Sequence, residues 1–493
     1  MEATAWALVP PILAIVISLI TKEVNISLIV GILFGAGLYT GFHPFTTVTT
    51  TFDVMQSRVG ENMYVLFFII LLGMIVHLMN LSGATREYAK WASEKLKTKK
   101  LALFATMILG IVIFIDDYFN CLTVGTVMRP ITDRNKVSRE KLAYVIDSTA
   151  APICILAPIS SWAAAVSSSL PKDSSIDGFQ LFIKTIFCNY YSWFSLLMVV
   201  IVIVFSMDFG KMRKFEQLAE AGTYEYEEGR EQVPQGNKGK VIDLILPVLV
   251  IILFCVIGML YTGGVFEKSV SVAQAFANCD AIVGLTLGAA YTIVFLAILY
   301  LPRKVVTPKQ FIDGLVEGFL HMVPATLILT FAWTLSGICG ADYLNAGGFV
   351  AAMVSHYQIS LVMMPAIFFV VGLFLAFATG TSWGTFAILL PIIVSVFGQE
   401  SSLMILTTSA ILGGSVCGDH ISPISDTTIL SSTGAGCHHI NHVSTQLQYG
   451  ITVAAISFVC YMIAAFTENT GLGFVVGLVL MALVVLVQKK IQK

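Results

Sequence analysis

Apolar runs of roughly 20 residues recur from Trp6 to Leu486, each long enough to cross the hydrocarbon core of a bilayer, about 30 Å thick, as a helix. Backbone amides in hydrocarbon must find partners within the segment, so helix is the fold these runs dictate. With 57% hydrophobic and 12% charged residues, the chain falls outside the soluble globular class. The first run, Trp6 to Ile20, lacks a basic start and a small-residue cleavage site and reads as a transmembrane helix, not a cleaved signal. A formal charge of -2 gives no ground for a nucleic-acid partner. The nine cysteines form no CxxC pair and read as small core residues.

Four of these runs are interrupted by polar groups. In Gly413 to Ser432, GGSVCGDHISPISDTTILSS, Asp419, His420 and Asp426 arrive where a spanning helix should be near its middle. A carboxylate there costs roughly 3 kcal/mol and faces a cavity or pathway, not lipid. Pro423 lacks an amide proton and disfavours helix at Ser422, so the helix must break in this stretch and converge hydroxyls, carbonyls and carboxylates at one depth. Hard oxygen ligands of that kind suit a small cation.

Crossings are expected near 6 to 21, 24 to 42 and 63 to 81, followed by a basic segment from Arg86 to Lys100. The run 101 to 128 is interrupted by FIDDYFN and flanked on both sides by basic clusters, which predicts a hairpin that dips in and returns on the inner side. Residues 141 to 166 read as a crossing broken by Pro152 and Pro158, and 181 to 206 as a return. The polar stretch 207 to 240 reads as a cytoplasmic linker. The pattern then repeats, with crossings near 242 to 262, 280 to 301 and 311 to 339. A hairpin over 360 to 397 is interrupted by FATGTSWGT, a broken crossing spans 402 to 430, and crossings at 448 to 467 and 472 to 488 end the chain.

The expected fold is an all-α polytopic membrane protein with about eleven transmembrane helices and two re-entrant hairpins. Its parts are a first repeat over 1 to 206, the linker, a second repeat over 241 to 470 and a final helix over 471 to 493. This topology puts 24 of the 28 Lys and Arg inside and the amino terminus outside. PICILAPISSW and CGDHISPISDTT each follow an interrupted hairpin and share PIS, as inverted repeats of a secondary transporter would.

The expected site gathers the four interruptions. From the first hairpin come Asp116, Asp117, Asn120 and Thr123; from the first broken helix, Asp147, Ser160 and Ser161. From the second hairpin come Thr379, Thr381, Ser382 and Thr385; from the second broken helix, Asp419, Ser422, Ser425, Asp426 and Thr428. A buried carboxylate that takes either a proton or Na+ couples the two, and Asp426 is the first choice, with Asp419 or Asp117 as partner and Na+ held at Asp419 and Asp426. Asp313, Glu317 and His321 recur every four residues on one helix face and suggest an inner vestibule or proton inlet. His420 and the CHHINH histidines, His439 among them, are candidates for pH sensing in a loop. No HExxH spacing supports a metalloenzyme, and no cofactor beyond the transported Na+ and H+ is expected.

Three blocks, FIDDYFNCLTVGTVMRPITDR, SREKLAYVIDSTAAPICILAPISSW and GDHISPISDTTILSSTGAGCHHINHVSTQL, resemble the signature blocks of the NhaC-type sodium/proton antiporter family. Asp116, Asp117, Asp147, Asp419, Ser422, Ser425 and Asp426 fall on that family's motifs, while His438 and Gln448 depart from them. The resemblance implies an elevator-type transporter of the plasma membrane that works as a homodimer in the lipid bilayer. It implies exchange of Na+ for H+ by alternating access. The alternative within the same family is Na+- or H+-coupled exchange of a small organic acid or amino acid, of the malate and lactate kind.

Overall fold

The computed structural model describes residues 4 to 491, apart from 22, 115, 159, 171 to 175, 225 to 238, 267 to 269, 347, 350, 351, 353 to 359 and 398 to 400. All regular structure among the described residues is helical. Helices α1 (Val9–Thr21), α2 (Val24–Thr40), α3 (Pro44–Glu61) and α4 (Met63–Leu81) lead into a polar α5 (Ala84–Lys95). Then come α6 (Lys99–Val112), α7 (Asp117–Arg134), α8 (Arg139–Leu156), α9 (Ser161–Ser168), α10 (Gly178–Thr185), α11 (Tyr190–Phe205) and α12 (Gly210–Ala221). The second half opens with α13 (Ile242–Thr262), α14 (Val272–Asn278), α15 (Ala281–Tyr300) and α16 (Pro308–Cys339). It closes with α17 (Met364–Thr379), α18 (Ser382–Phe397), α19 (Ser402–Ile421), α20 (Asp426–Ala435), α21 (His439–Thr467) and α22 (Thr470–Ile491). Among the described residues, eight helices are long and apolar enough to cross a membrane, or nine if the pair α2 and α3, bent by 116°, is one broken span.

Helix α3 was not expected, because its sequence, PFTTVTTTFDVMQSRVGE, lacks a continuous apolar run. Pro44 starts it at a position where a missing amide costs nothing, and Thr51 returns its hydroxyl to the Thr47 carbonyl at 2.9 Å, hiding one polar group per turn.

All four interrupted runs are broken helices. The breaks lie between α6 and α7, α8 and α9, α17 and α18, and α19 and α20. Asp116, Ser160, Thr381 and Ser425 stand at the starts of the four following helices, and Asp116, Thr381 and Ser425 cap them with side-chain oxygens. The two halves match in spacing: 44 residues separate Asp116 from Ser160, and 44 separate Thr381 from Ser425. Gly380 makes the turn between α17 and α18 at φ +70°, and its missing side chain lets the Ile424 carbonyl of the α19–α20 break approach. Gly125 of α7 and Gly434 of α20 likewise pack backbone to backbone, which brings α7 onto α20.

Pro152 does not break its helix. It lies inside α8, and the break falls at 157 to 160, around Pro158. The Ser148 carbonyl that Pro152 cannot serve takes the Ser195 hydroxyl at 3.3 Å instead. Pro247 inside α13 is tolerated in the same way, with the Tyr300 hydroxyl donating to the Asp243 carbonyl at 2.6 Å.

The polar stretch read as a linker begins with folded structure. Ser206 reverses the chain at φ +50°, and α12 lies against the starts of α8 and α21. The buried Glu216 accepts the Ser138 amide at 2.7 Å and pairs with Lys99 at 2.7 Å and Lys141 at 3.4 Å. Lys141 also meets Asp208 at 2.8 Å. Residues 225 to 238 of that stretch lie outside the described residues. The CHHINH histidines also differ from expectation: His438 stands at the head of α21, and His439 and His442 are in its first turns, not in a loop.

Candidate functional site

The site forms where α7, α8, α19, α20 and α21 meet, and nearly every polar side chain there is buried. Asp147, in the middle of α8, is saturated. Its carboxylate accepts from Gln446 at 2.6 Å, Thr428 at 3.2 Å and Ser431 at 3.2 Å, and lies 3.2 Å from His442 Nε2. One acid therefore ties α8 to α20 and α21. Gln446 also donates to the His420 carbonyl at 2.7 Å, holding the last turn of α19.

Asp419 and Asp426 lie on either side of the α19–α20 break. Thr427 joins them, donating its hydroxyl to Asp419 Oδ2 at 2.6 Å and its amide to Asp426 Oδ1 at 2.8 Å. Asp426 Oδ2 accepts the Tyr118 hydroxyl from the first hairpin at 2.6 Å, whereas Asp419 Oδ1, fully buried, completes no hydrogen bond. Asp426 sits in the first turn of α20, where the helix dipole favours negative charge. Ser425 caps that helix through the Thr428 amide at 3.3 Å and reaches the Thr427 hydroxyl at 3.3 Å. Ser422 donates to the Phe377 carbonyl at 2.8 Å, pinning the break to the second hairpin.

At the first hairpin, Asp116 Oδ1 accepts the Phe119 amide at 3.0 Å, and Asn120 donates to the Gly110 and Ile113 carbonyls at 2.7 and 2.8 Å. These bonds hold the break between α6 and α7 together. Asp116 Oδ2, Asp117 Oδ1, Thr123 Oγ1 and Ser161 Oγ are buried and complete no hydrogen bond. Ser160 caps the end of α8 by donating to the Cys154 carbonyl at 2.6 Å. At the second hairpin, Thr379 returns to Leu375 at 2.8 Å and lies 3.5 Å from Thr385, and Ser382 donates to the Ser415 carbonyl at 3.2 Å.

The expected proton inlet lies apart from this cluster. Asp313 and Glu317 stand exposed on α16, and His321 packs its ring 5.0 Å from that of His77. His420 is buried, with Nδ1 3.2 Å from the Tyr191 hydroxyl. His439 bridges the Ser432 hydroxyl at 3.1 Å and the Pro423 carbonyl of the break at 2.8 Å. Tyr118, Ser431 and Gln446 join the site without having been singled out from the sequence, and His442, one of the CHHINH histidines, enters it as a partner of Asp147. Thr427 and Ser431 lie within the motif already noted, while Tyr118 and Gln446 meet their partners across 308 and 299 residues.

A cavity of about 500 Å3 leads to Asp426. Arg58, Glu61 and Tyr64, at the junction of α3 and α4, and Asp280, before α15, form its mouth. Trp333 lines one wall, and Tyr118, Thr381 and Trp383 from the two hairpins line the other. The mouth sits at the ends of α4, α15 and α16 opposite their basic ends at Lys90, Arg303 and Lys309, which is the outer side by the positive-inside rule.

The model of the Na+/H+ antiporter family matches residues 172 to 466. A protein of Haemophilus influenzae described as uncharacterized is 37% identical over 506 residues, covering 99% of this chain and 96% of its own length. The malate-2H+/Na+-lactate antiporter of Bacillus subtilis is 28% identical over 176 residues, 35% of this chain and 36% of that protein. The arginine/ornithine antiporter ArcD of Halobacterium salinarum is 28% identical over 172 residues, 34% of this chain and 33% of that protein. The family match takes in the second hairpin and the whole α19–α20 break with its paired aspartates, and this multi-pass membrane protein, a secondary antiporter, belongs to the Na+/H+ antiporter family.

Proposed function

We propose that the chain exchanges Na+ for H+ across the plasma membrane by alternating access, with Asp426 as the carboxylate over which the two ions compete. The observation that carries this reading is the position of Asp426. It is buried at the start of a half-helix, is bonded to the first hairpin and linked through Thr427 to the paired Asp419, and lines a cavity that opens on the outer side. A buried carboxylate needs a neutralising partner. Na+ takes that part at Asp426 and Asp419 with the Ser425 and Thr427 hydroxyls nearby, and a proton takes it when Na+ is absent. Binding one excludes the other, which is the condition for exchange without leak. No separate cofactor is required.

Asp147 has a different role in this account. With four donors around it, it positions α20 and α21 and leaves little room for a cation. Asp116, Asp117, Thr123 and Ser161, with their open oxygens, complete the polar lining on the first-hairpin side.

The equal 44-residue spacing of the two pairs of breaks supports two inverted repeats, each with a re-entrant hairpin and a broken crossing, within about eleven crossings. The cavity separates the hairpins and Asp426 from the walls contributed by α3, α4, α15 and α16. Movement of the hairpin side against those walls, elevator fashion within each protomer of a homodimer, would carry the site from one face to the other. Relatives named for malate, lactate, arginine and ornithine exchange put organic cargo within reach of the same scaffold. Purified protein in proteoliposomes tests the reading: a Na+ step must move protons, and Asp426→Asn must abolish that movement while the protein remains folded. Full exchange in Asp426→Asn would move the ion site elsewhere.

A further inference from the structure

The outer cavity is much larger than an ion requires. A water molecule takes about 30 Å3 and small-molecule sites run from about 300 to 1,000 Å3, so a volume of about 500 Å3 fits an organic solute. The charges on its walls narrow the class. Arg58 is the one cation among the described lining residues, against the carboxylates of Glu61, Asp280 and Asp426. A dicarboxylate would meet net repulsion there, whereas an ammonium would meet attraction.

Beside Asp426 the walls suit an ammonium further. The Tyr118 and Trp383 rings, one from each hairpin, lie nearly parallel at 20° with centroids 6.5 Å apart, and both border the cavity. Aromatic faces attract a cation within about 6 Å. Arg58 is held at the mouth by Glu61 at 2.7 Å, by the more distant and exposed Asp342 at 3.9 Å and by packing against Gly337 and Gly340, so its guanidinium is ordered in advance, and a ligand carboxylate would take the Asp342 side of its fork.

We propose that this cavity binds an amino acid, its ammonium at Asp426 beside Tyr118 and Trp383 and its carboxylate toward Arg58. The coupling of this ligand, as distinct from its binding, rests on Asp426 being the exchanging carboxylate: an ammonium then competes for the same group as Na+ and H+, and the amino acid becomes a coupled cargo.

The test uses the full-length protein, purified and reconstituted. Binding is measured with a panel of amino acids, their decarboxylated amines, and mono- and dicarboxylates, alongside proton movement on a Na+ step. One or more amino acids should bind more tightly than the matching amine and than any simple carboxylate. Arg58→Gln should weaken amino-acid binding about 10- to 100-fold, the range expected for losing a charge-assisted pair, while changing amine affinity little. Arg58→Lys, which keeps the charge without the planar fork, should recover part of the loss and serves if the Gln variant folds poorly.

Preference for a dicarboxylate, an equal effect of Arg58→Gln on amine and amino acid, or Na+-driven proton movement with no response to any amino compound would overturn the assignment. That last result would leave the ion-exchange reading standing. Amino-acid binding without Na+-driven proton movement would uphold the assignment and sink the ion-exchange reading.

Discussion

Replacing Asp147 and Asp426 in turn should separate a residue that holds the site from one that works in it. Asp147→Ala removes both acceptor oxygens, the one that Gln446, His442 and Thr428 approach and the one that takes Ser431. At least two bonds to a charged acceptor are lost and their buried donors left unpaired. At about 1.5 to 3 kcal/mol for each such bond, this destabilises the fold by about 3 to 5 kcal/mol. Asp426→Asn faces milder geometry. Its remaining oxygen can still take the Thr427 amide, and its new NH2 can donate to the Tyr118 oxygen, so the loss is about 1 kcal/mol. Thermal unfolding midpoints in detergent, read with size-exclusion profiles, should fall at least about threefold further for Asp147→Ala than for Asp426→Asn. Exchange by Asp426→Asn should be absent despite its near-native midpoint. Equal falls, or an Asp147→Ala protein of native stability, would refute the assignment of Asp147 as the clamp between α8, α20 and α21.

Two further outcomes follow from the packing. Gly380→Ala places a side chain in the left-handed region, at about 1 to 2 kcal/mol, and against the Ile424 carbonyl; it should lower the midpoint and slow exchange, and an unchanged midpoint would mean the second hairpin is not seated on the break. Glu216→Ala removes the acid that Lys99, Lys141 and the Ser138 amide share, leaving Lys141 with Asp208 alone, and should cost about 3 to 5 kcal/mol; a midpoint within experimental error of the parent would show that α12 does not brace the inner end of α8.

The breaks were legible because their causes are local. Asp419, Pro423 and Asp426 within an apolar run leave a spanning helix no continuous solution, and FIDD and TGTS do the same in the hairpins. What local pattern cannot supply is partnership. Pro152 reads as a break because the sequence does not reveal that Ser195, 47 residues on, serves the freed carbonyl of Ser148. Helix α3 escapes notice because it lacks a continuous apolar run, while Thr49 and Thr51 return their hydroxyls to its own backbone, which hydropathy does not register. Asp147 reads as an ion ligand because its saturating donors come from α20 and α21, more than 280 residues away. The four-residue spacing of Asp313, Glu317 and His321 does predict a shared face, but that face of α16 lies away from the buried cluster.

The most direct measurement is proton movement in proteoliposomes loaded with a pH dye and given a step of external Na+, first without and then with amino acids. On the external Na+ step alone the lumen should become alkaline, because entering Na+ is exchanged for departing H+, and no change should occur in Asp426→Asn liposomes holding the same amount of folded protein. Proton movement of equal rate in parent and Asp426→Asn liposomes would contradict the claim that this buried carboxylate is the group over which Na+ and H+ compete.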